Sequence, residues 1–179
     1  MAEHDPLTEV CNRRSFYDLA VMELERARKE NRPCVLVIFD IDHFKRFNDS
    51  YGHLDGDAAL RHLTQTVKNE LRGPDILGRY GGEEFVLLLP GVDQPTGEAI
   101  AERLRLAVAT SPVPTKTAGP VTITISMGLV LVPPEGNEER KVSFLERYLG
   151  FADNALYAAK ESGRNRLMAS SCALEHVKL

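Results

Sequence analysis

Apolar residues return at helical spacing across residues 12–29, with Phe16, Leu19, Ala20 and Met22 or Glu23 marking the faces of an amphipathic helix. Asn31-Arg32-Pro33 ends it, because proline has no amide hydrogen with which to continue the ladder. The period then changes. Cys34-Val35-Leu36-Val37-Ile38-Phe39 is an unbroken apolar run, which predicts a strand covered on both faces. Asp42 is a candidate cap for a short helix through Asn48, and Asp55 or Asp57 for a longer one reaching Leu71. Two apolar runs, 76–80 and 85–89, flank Gly81-Gly82-Glu83-Glu84. Paired glycines there favour a tight hairpin, because they tolerate positive φ.

Residues 96–109 read as a helix with Ile100, Leu104, Ala107 and Val108 along one face, and 111–120 as a Pro-rich loop. Residues 121–132 alternate as a long strand, 133–139 form a second loop, and a helix over 143–162 is closed by Gly163. Residues 167–169 suit a last short strand. This order predicts one α/β domain over residues 1–170, with a mixed central sheet of about five strands flanked by helices. The tail, residues 171–179, is expected to be disordered or an appended remnant, on the strength of Leu174-Glu175-His176.

Composition narrows the class. The 179 residues carry 22 Lys and Arg against 26 Asp and Glu, a net charge of −4. That balance lacks the basic face that neutralises a phosphate backbone, so no nucleic-acid polymer is expected as a partner. No apolar run approaches the roughly 20 residues of a membrane helix. The start, Met-Ala-Glu-His-Asp-Pro, lacks the basic and apolar character of a leader, so a cytoplasmic domain without membrane contact is expected. Cys11, Cys34 and Cys172 are odd in number and widely spaced, which suits neither a disulfide framework nor a zinc site.

Two clusters carry candidate chemistry. Asp40 ends the first apolar strand within Phe39-Asp40-Ile41-Asp42-His43-Phe44, where open α/β sheets place ligands. A carboxylate there is a natural donor to a hard cation such as Mg²⁺, and equally Asp40 and Asp42 suit capping of the next turn. In Arg79-Tyr80-Gly81-Gly82-Glu83-Glu84-Phe85, two carboxylates crowd one turn beside glycines that let a ligand approach the backbone. If that hairpin lies beside the first strand, Glu83 and Glu84 can share cations with Asp40. An ordinary solvated turn accounts for the spacing equally well.

Taken in order, the motifs resemble a known family. Asp40-Ile41-Asp42-His43-Phe44-Lys45, Asn48-Asp49, Gly52-His53, Gly56-Asp57 and Gly81-Gly82-Glu83-Glu84-Phe85 are similar to the GGDEF domain of bacterial diguanylate cyclases, in its GGEEF variant. Asp5-Pro6-Leu7-Thr8 with Asn12-Arg13-Arg14 matches the family's opening, and Tyr157-Ala158-Ala159-Lys160 with Gly163-Arg164-Asn165 its close. The resemblance covers about residues 5–169. One departure is Glu9-Val10, where the family often has Gly-Leu.

The resemblance implies a fold akin to the palm of nucleotide cyclases and polymerases, and condensation of two GTP into cyclic di-GMP with release of pyrophosphate. It implies Mg²⁺, or Mn²⁺, with two ions per active site held by Asp40, the carbonyl of Ile41, Glu83 and Glu84. Glu83 takes the position usually assigned to catalysis, and Lys45 stabilises charge on the phosphates. Asn48 and Asp57 match guanine-recognising positions, His53, Gly81 and Gly82 other substrate contacts, and Lys160 and Arg164 the residues that hold terminal phosphates. Arg72-x-x-Asp75, nine residues before Gly81, falls at the spacing of the product-inhibition site, with Arg103 as a secondary contact.

Because one such site holds one GTP, a second copy of the domain is implied as partner. So is a sensory or receiver module N-terminal to this chain. Without a coiled-coil heptad the domain alone is expected to be monomeric or weakly dimeric. Two rivals stand beside this reading: a non-catalytic receptor for GTP or cyclic di-GMP, and a cyclase making a mixed GMP-AMP product. Intact acids at Asp40, Glu83 and Glu84 speak against the first, and Asp57 against the second.

Overall fold

The chain runs α1 (Arg13–Lys29), β1 (Cys34–Ile41), α2 (Phe44–Tyr51), α3 (His53–Glu70), β2 (Ile76–Arg79), β3 (Glu84–Pro90) and α4 (Gln94–Ala109). It continues through β4 (Val113–Thr115), β5 (Gly119–Val121), β6 (Ile125–Val132), α5 (Val142–Glu161) and β7 (Leu167–Ala169). These assignments come from a computed structural model, which describes residues 2–171. Residues 172–179, which hold Cys172 and all but the first residue of the expected tail, lie outside the described residues.

Every residue of β1 is buried, and its alternating side chains feed two separate cores. Val35, Val37, Phe39 and Ile41 pack with α2, α3 and α4, while Cys34, Leu36 and Ile38 pack with α1 and α5. The strand order is β2-β3-β1-β6-β7; all neighbours are antiparallel except β6 and β7. A mixed five-stranded sheet between helical layers is the expected class. No helix among the described residues is long and apolar enough to cross a membrane. Cys34 is buried in the sheet, which pushes its thiol up to about 11, and Cys11 is half-buried; both are free.

Several local expectations are corrected. The buried stripe of α1 is Phe16, Ala20, Leu24 and Ala27, while Leu19 and Met22 face solvent. Asp42 does not cap α2. His43 occupies the cap position in the left-handed region, φ 56°, with no side-chain bond. Neither Asp55 nor Asp57 caps α3, which begins at His53 behind Gly52. Asp55 instead accepts from the Lys116 amide and the Thr117 hydroxyl, both at 3.1 Å, and so docks the β4–β5 turn. The Pro-rich segment is this small hairpin rather than a loop. Pro114 faces Pro120 across a two-stranded ribbon, where missing amide hydrogens cost little. Val121 therefore belongs to β5, and the long strand starts at Ile125.

Gly128 is where β6 touches α5 most closely. An added Cβ would lie 2.0 Å from the Ala152 carbonyl oxygen and 2.3 Å from the Leu156 amide nitrogen, both backbone atoms. Gly128→Ala should therefore lower Tm by roughly 5–10 °C, taking overpacking as about 2–3 kcal/mol. Gly150→Ala, with nothing within 4 Å of its added Cβ, is the control and should not lower Tm. Thermal melts of the two variants check both statements.

Candidate active site

The antiparallel register of β1 and β3 sets Asp40 directly opposite Glu84. Both continue the alternation of Leu36, Ile38, Val86 and Leu88, so both lie on the sheet face that α5 covers. Asp40 is 5% exposed; its Oδ2 is paired with the Lys160 ammonium from α5, and its Oδ1 is buried without a hydrogen-bond partner. Burial raises its pKa, the Lys160 ammonium opposes that, and the nearby Asp42 and Glu83 charges reinforce it. Glu84 is raised too, first by burial and then by the charges of Asp153 and Asp40.

No group of three or more His, Cys, Asp or Glu side chains among the described residues is arranged to hold a metal unaided. Two carboxylates with one bare, buried oxygen nevertheless suit a hard divalent ion, which typically takes one or two carboxylates and completes its shell with phosphate oxygens and water.

The turn between β2 and β3 is held from behind. The Tyr80 and Gly81 amides both donate to the Glu84 carbonyl, at 2.7 and 3.1 Å. Arg79 donates to the carbonyls of Gly81 and Gly82 and pairs with Asp5 at 3.1 Å. Asp5 in turn accepts from the Thr8 amide and hydroxyl. Gly81 and Gly82 are exposed, and neither adopts the left-handed conformation anticipated for them. What glycine supplies here is open space: a Cβ on Gly82 would meet nothing within 4 Å. Beside the turn, Arg13 lies 4.4 Å over the Tyr80 ring, and burial against Tyr17 pushes the Tyr80 hydroxyl up to about 12.

A second bare oxygen lies on the other side of the sheet end. Asn48, in α2, has a buried Oδ1 with no partner. It rests against Gly56 in the first turns of α3, where an added Cβ would sit 1.8 Å from that oxygen. Asp57 follows, half-buried; His53 is exposed at the start of α3 and Lys45 is exposed on α2. At the end of α5, Lys160 is committed to Asp40 instead of standing free, while Arg164 sits two residues beyond the end cap, Ser162, with φ 62°.

Residues 2–166 match the family described as diguanylate cyclase, GGDEF domain. The chain is 42% identical over 163 residues to diguanylate cyclase DgcP of Pseudomonas aeruginosa, covering 91% of this chain and 23% of that protein. The GGDEF domain of DgcB from Caulobacter crescentus, solved in complex with c-di-GMP, superposes with a TM-score of 0.84 at 32% identity, over 94% of this chain and 96% of that one. The active GGEEF domain of a diguanylate cyclase from Vibrio cholerae gives a TM-score of 0.79 at 29% identity, over 90% and 97% of the two chains. The chain belongs to the GGDEF family. It spans less than half the length of the curated relatives it matches.

In this GGDEF domain Arg72 and Asp75 are brought together, but they close on one another. The Arg72 guanidinium forks onto Asp75, and the Arg72 amide also donates to Asp75 at 2.8 Å. Asp75 is consequently 1% exposed at its side chain while Arg72 is 44% exposed. Arg103 is not joined to the pair; it holds Glu70, at the end of α3, through both side chain and carbonyl. Sequence reasoning missed three neighbours: Arg79 and Asp5 behind the turn, and Asp153 of α5 beside Glu84. The first two lie in Arg79-Tyr80-Gly81-Gly82 and Asp5-Pro6-Leu7-Thr8, quoted as motifs but given no chemistry.

A carboxyl whose folded pKa is raised costs stability above that pKa, and the cost disappears as pH falls through it. Metal-free Glu84→Gln should therefore melt above the parent at pH 7.5, with the gap narrowing toward acidic pH. Melts across pH check the sign. Gly56→Ala should displace the Asn48 amide; if Asn48 is a guanine contact, as the resemblance implies, binding of a guanine nucleotide falls by roughly 10-fold or more, the scale of one lost buried polar contact. Equilibrium binding of GMP reads this directly, with circular dichroism to confirm the fold.

Proposed function

We propose that this domain is a diguanylate cyclase that joins two GTP into cyclic di-GMP and releases two pyrophosphates. The observation that carries the reading is the Asp40–Glu84 pair, two carboxylates facing each other across neighbouring strands, with one Asp40 oxygen held by Lys160 and the other buried and bare. Like charges placed opposite each other in a sheet oppose folding, so a role outside folding explains them best. The names of the relatives point the same way, and the neighbour from Vibrio cholerae is an active GGEEF domain, which supports reading Glu83 as a working substitute for Asp.

In this reading Asp57 accepts from guanine N1–H and N2–H₂, a pairing that adenine cannot make, and the bare Asn48 oxygen gives a further acceptor. Gly81 and Gly82 let the nucleotide lie close to the turn, with His53 at its edge. Lys160 and Arg164 hold the terminal phosphates, and Lys45 adds positive charge. Glu83 accepts the proton of the ribose 3′-hydroxyl as its oxygen attacks the α-phosphorus of the other GTP and pyrophosphate leaves. Asp40, Glu84, Glu83 and the Ile41 carbonyl are the residues that hold Mg²⁺ or Mn²⁺, two ions per site. When bound, such ions neutralise triphosphate charge and make the 3′-hydroxyl more acidic. Because each site holds one GTP, two copies of the domain face each other, and a module N-terminal to this chain brings them together.

Product control belongs to the same proposal. Arg72, exposed and already a fork donor, turns to a cyclic di-GMP phosphate or guanine edge, with Arg103 as a second contact. When the guanidinium turns away, the enclosed Asp75 carboxylate keeps the Arg72 amide as a donor, so it is not left bare. Binding of c-di-GMP by the neighbour from Caulobacter crescentus supports a product site in this family.

The deciding experiment incubates the purified domain with GTP and Mg²⁺ at two protein concentrations and separates the nucleotides. Cyclic di-GMP should form at a rate per enzyme that rises with concentration, and Glu84→Ala should lower that rate by more than about 100-fold, beyond the 10–100-fold typical of outer-shell losses. Absence of product at high concentration, with cyclic di-GMP still bound, would establish the receptor instead. Arg72→Ala should keep turnover within about twofold while added cyclic di-GMP loses its inhibitory effect.

A further inference from the structure

Asp42 stands two residues beyond Asp40, yet its carboxylate is fully occupied by neutral donors. Oδ1 accepts from the Ser126 hydroxyl at 2.5 Å, and Oδ2 accepts from the Thr124 hydroxyl at 2.7 Å and the Asn165 amide at 3.0 Å. Its own amide donates to the Thr124 carbonyl at 2.9 Å. The side chain thus clamps the end of β1 to the start of β6 and to the turn that follows α5.

That turn is unusual. Gly163, Arg164 and Asn165 take φ values of 114°, 62° and 44°, three consecutive residues in the left-handed region. Glycine enters it freely and asparagine with modest cost, but arginine does not. A backbone in this state persists only where its surroundings determine it. The α5 end supplies part of that: the Gly163 amide donates to the Lys160 carbonyl and the Arg164 amide to the Ala159 carbonyl. Beyond Arg164 the holding contacts pass to Asn165. Its amide goes to Asp42, its side-chain oxygen accepts from Arg105 of α4 at 2.7 Å, and Arg105 is itself braced by Glu102. Then the Met127 amide donates to the Arg166 carbonyl and β7 begins.

We propose that Asp42 is a positioning residue for nucleotide phosphates, fixing through Asn165 the strained backbone from which Arg164 reaches them, with Arg105 bracing the same turn from α4. This rests on the reading of Arg164 as a phosphate-holding residue. Asp42 therefore belongs to the phosphate grip and not to the ion-binding set, despite its place in the Asp40-Ile41-Asp42 run. The arrangement needs an acceptor at Oδ2, where two donors converge. Asparagine can place its oxygen there and turn its amide toward Ser126, whose hydroxyl then accepts. Asp42→Asn is accordingly the conservative variant, and Asp42→Ala the disruptive one.

The test uses 3′-deoxy-GTP, which cannot be condensed, and GMP, which lacks the terminal phosphates. The two also differ in the 3′-hydroxyl, so it is the change in their affinity ratio from parent to variant that reads the phosphate grip. Arg164→Ala should cut the ratio by about 10-fold, the scale of one lost charge-assisted contact. Asp42→Ala should cut it by a similar factor while GMP affinity stays within about twofold, and Asp42→Asn should restore most of the loss. Arg105→Ala, on α4, which packs on the sheet face opposite the carboxylate pair, should cut it about threefold and stands in if Asp42→Ala does not fold. In the double variant, Asp42→Ala should add nothing to Arg164→Ala, since it acts through that residue.

A further 10-fold loss in the double variant, as an ion ligand would give, overturns the proposal. So does an equal loss for both nucleotides, or an unchanged ratio in Asp42→Ala and Arg105→Ala while Arg164→Ala remains impaired. An unchanged ratio in Arg164→Ala itself overturns the assignment of Arg164, and the role of Asp42 falls with it, while leaving the cyclase reaction to its own test.

Discussion

The register between β1 and β3 puts Asp40 against Glu84, and most of the site follows from that contact. Cross-strand partners stand about 4.5–5.5 Å apart at Cβ, so two ionised carboxylates there repel, and burial removes the water that would screen them. Lys160 answers one oxygen of Asp40 and leaves the other bare. Burial still prevails, since both carboxyls remain raised. The fold carries this cost because β1 is packed on both sides by separate cores, which hold the register whatever the charges prefer. A cation that binds the pair recovers part of the cost, so the same charges that weaken the empty fold make its occupied form more stable.

The turn beyond Glu84 could not keep its shape through its own residues. Two of them are glycines, and neither uses the left-handed conformation that would lock a tight hairpin. Arg79 does the holding instead, gripping the Gly81 and Gly82 carbonyls while Asp5 anchors its far side. The Cys11 amide donates to Leu77 and the Arg79 amide to Cys11, so the segment before α1 runs beside β2 and is joined to it. The acidic turn is thus coupled to the N-terminal segment by one guanidinium and two backbone bonds. Motion of that segment and motion of the turn are not independent.

What could be read from the sequence was what depends on near neighbours. The helical spacing across residues 12–29 and the unbroken run of β1 are local, and they give a helix and a central strand without reference to anything else, although the spacing alone put Leu19 and Met22 on the wrong face of the helix. Asp42 and Asp55 failed for the opposite reason. A capping residue finds its partner within three positions, whereas Asp42 finds Thr124, Ser126 and Asn165, and Asp55 finds Lys116 and Thr117, all more than 60 positions away. Local pattern cannot distinguish a carboxylate that caps its own helix from one that staples a distant loop. The ribbon of β4 and β5 escaped because its prolines read as loop, and a two-stranded edge is where proline does least harm to a sheet.

The two bare oxygens explain why the site lies where it does. Asp40 faces the core under α5, while α2, which carries Asn48, packs through Phe44 and Phe47 into the core on the other face. Between them the chain leaves β1 at Ile41, crosses the end of the sheet through Asp42 and the left-handed His43, and enters α2. Only the end of a strand packed on both faces can present groups from both layers to one ligand. Asp42 sits at that crossing and is tied to β6 and to the turn after α5, so it fixes the relative placement of the two layers just where a bound molecule would span them. The α2 side, the carboxylate pair and the turn bearing Arg164 are thereby referred to one strand end, and a shift of that strand end would move all three together.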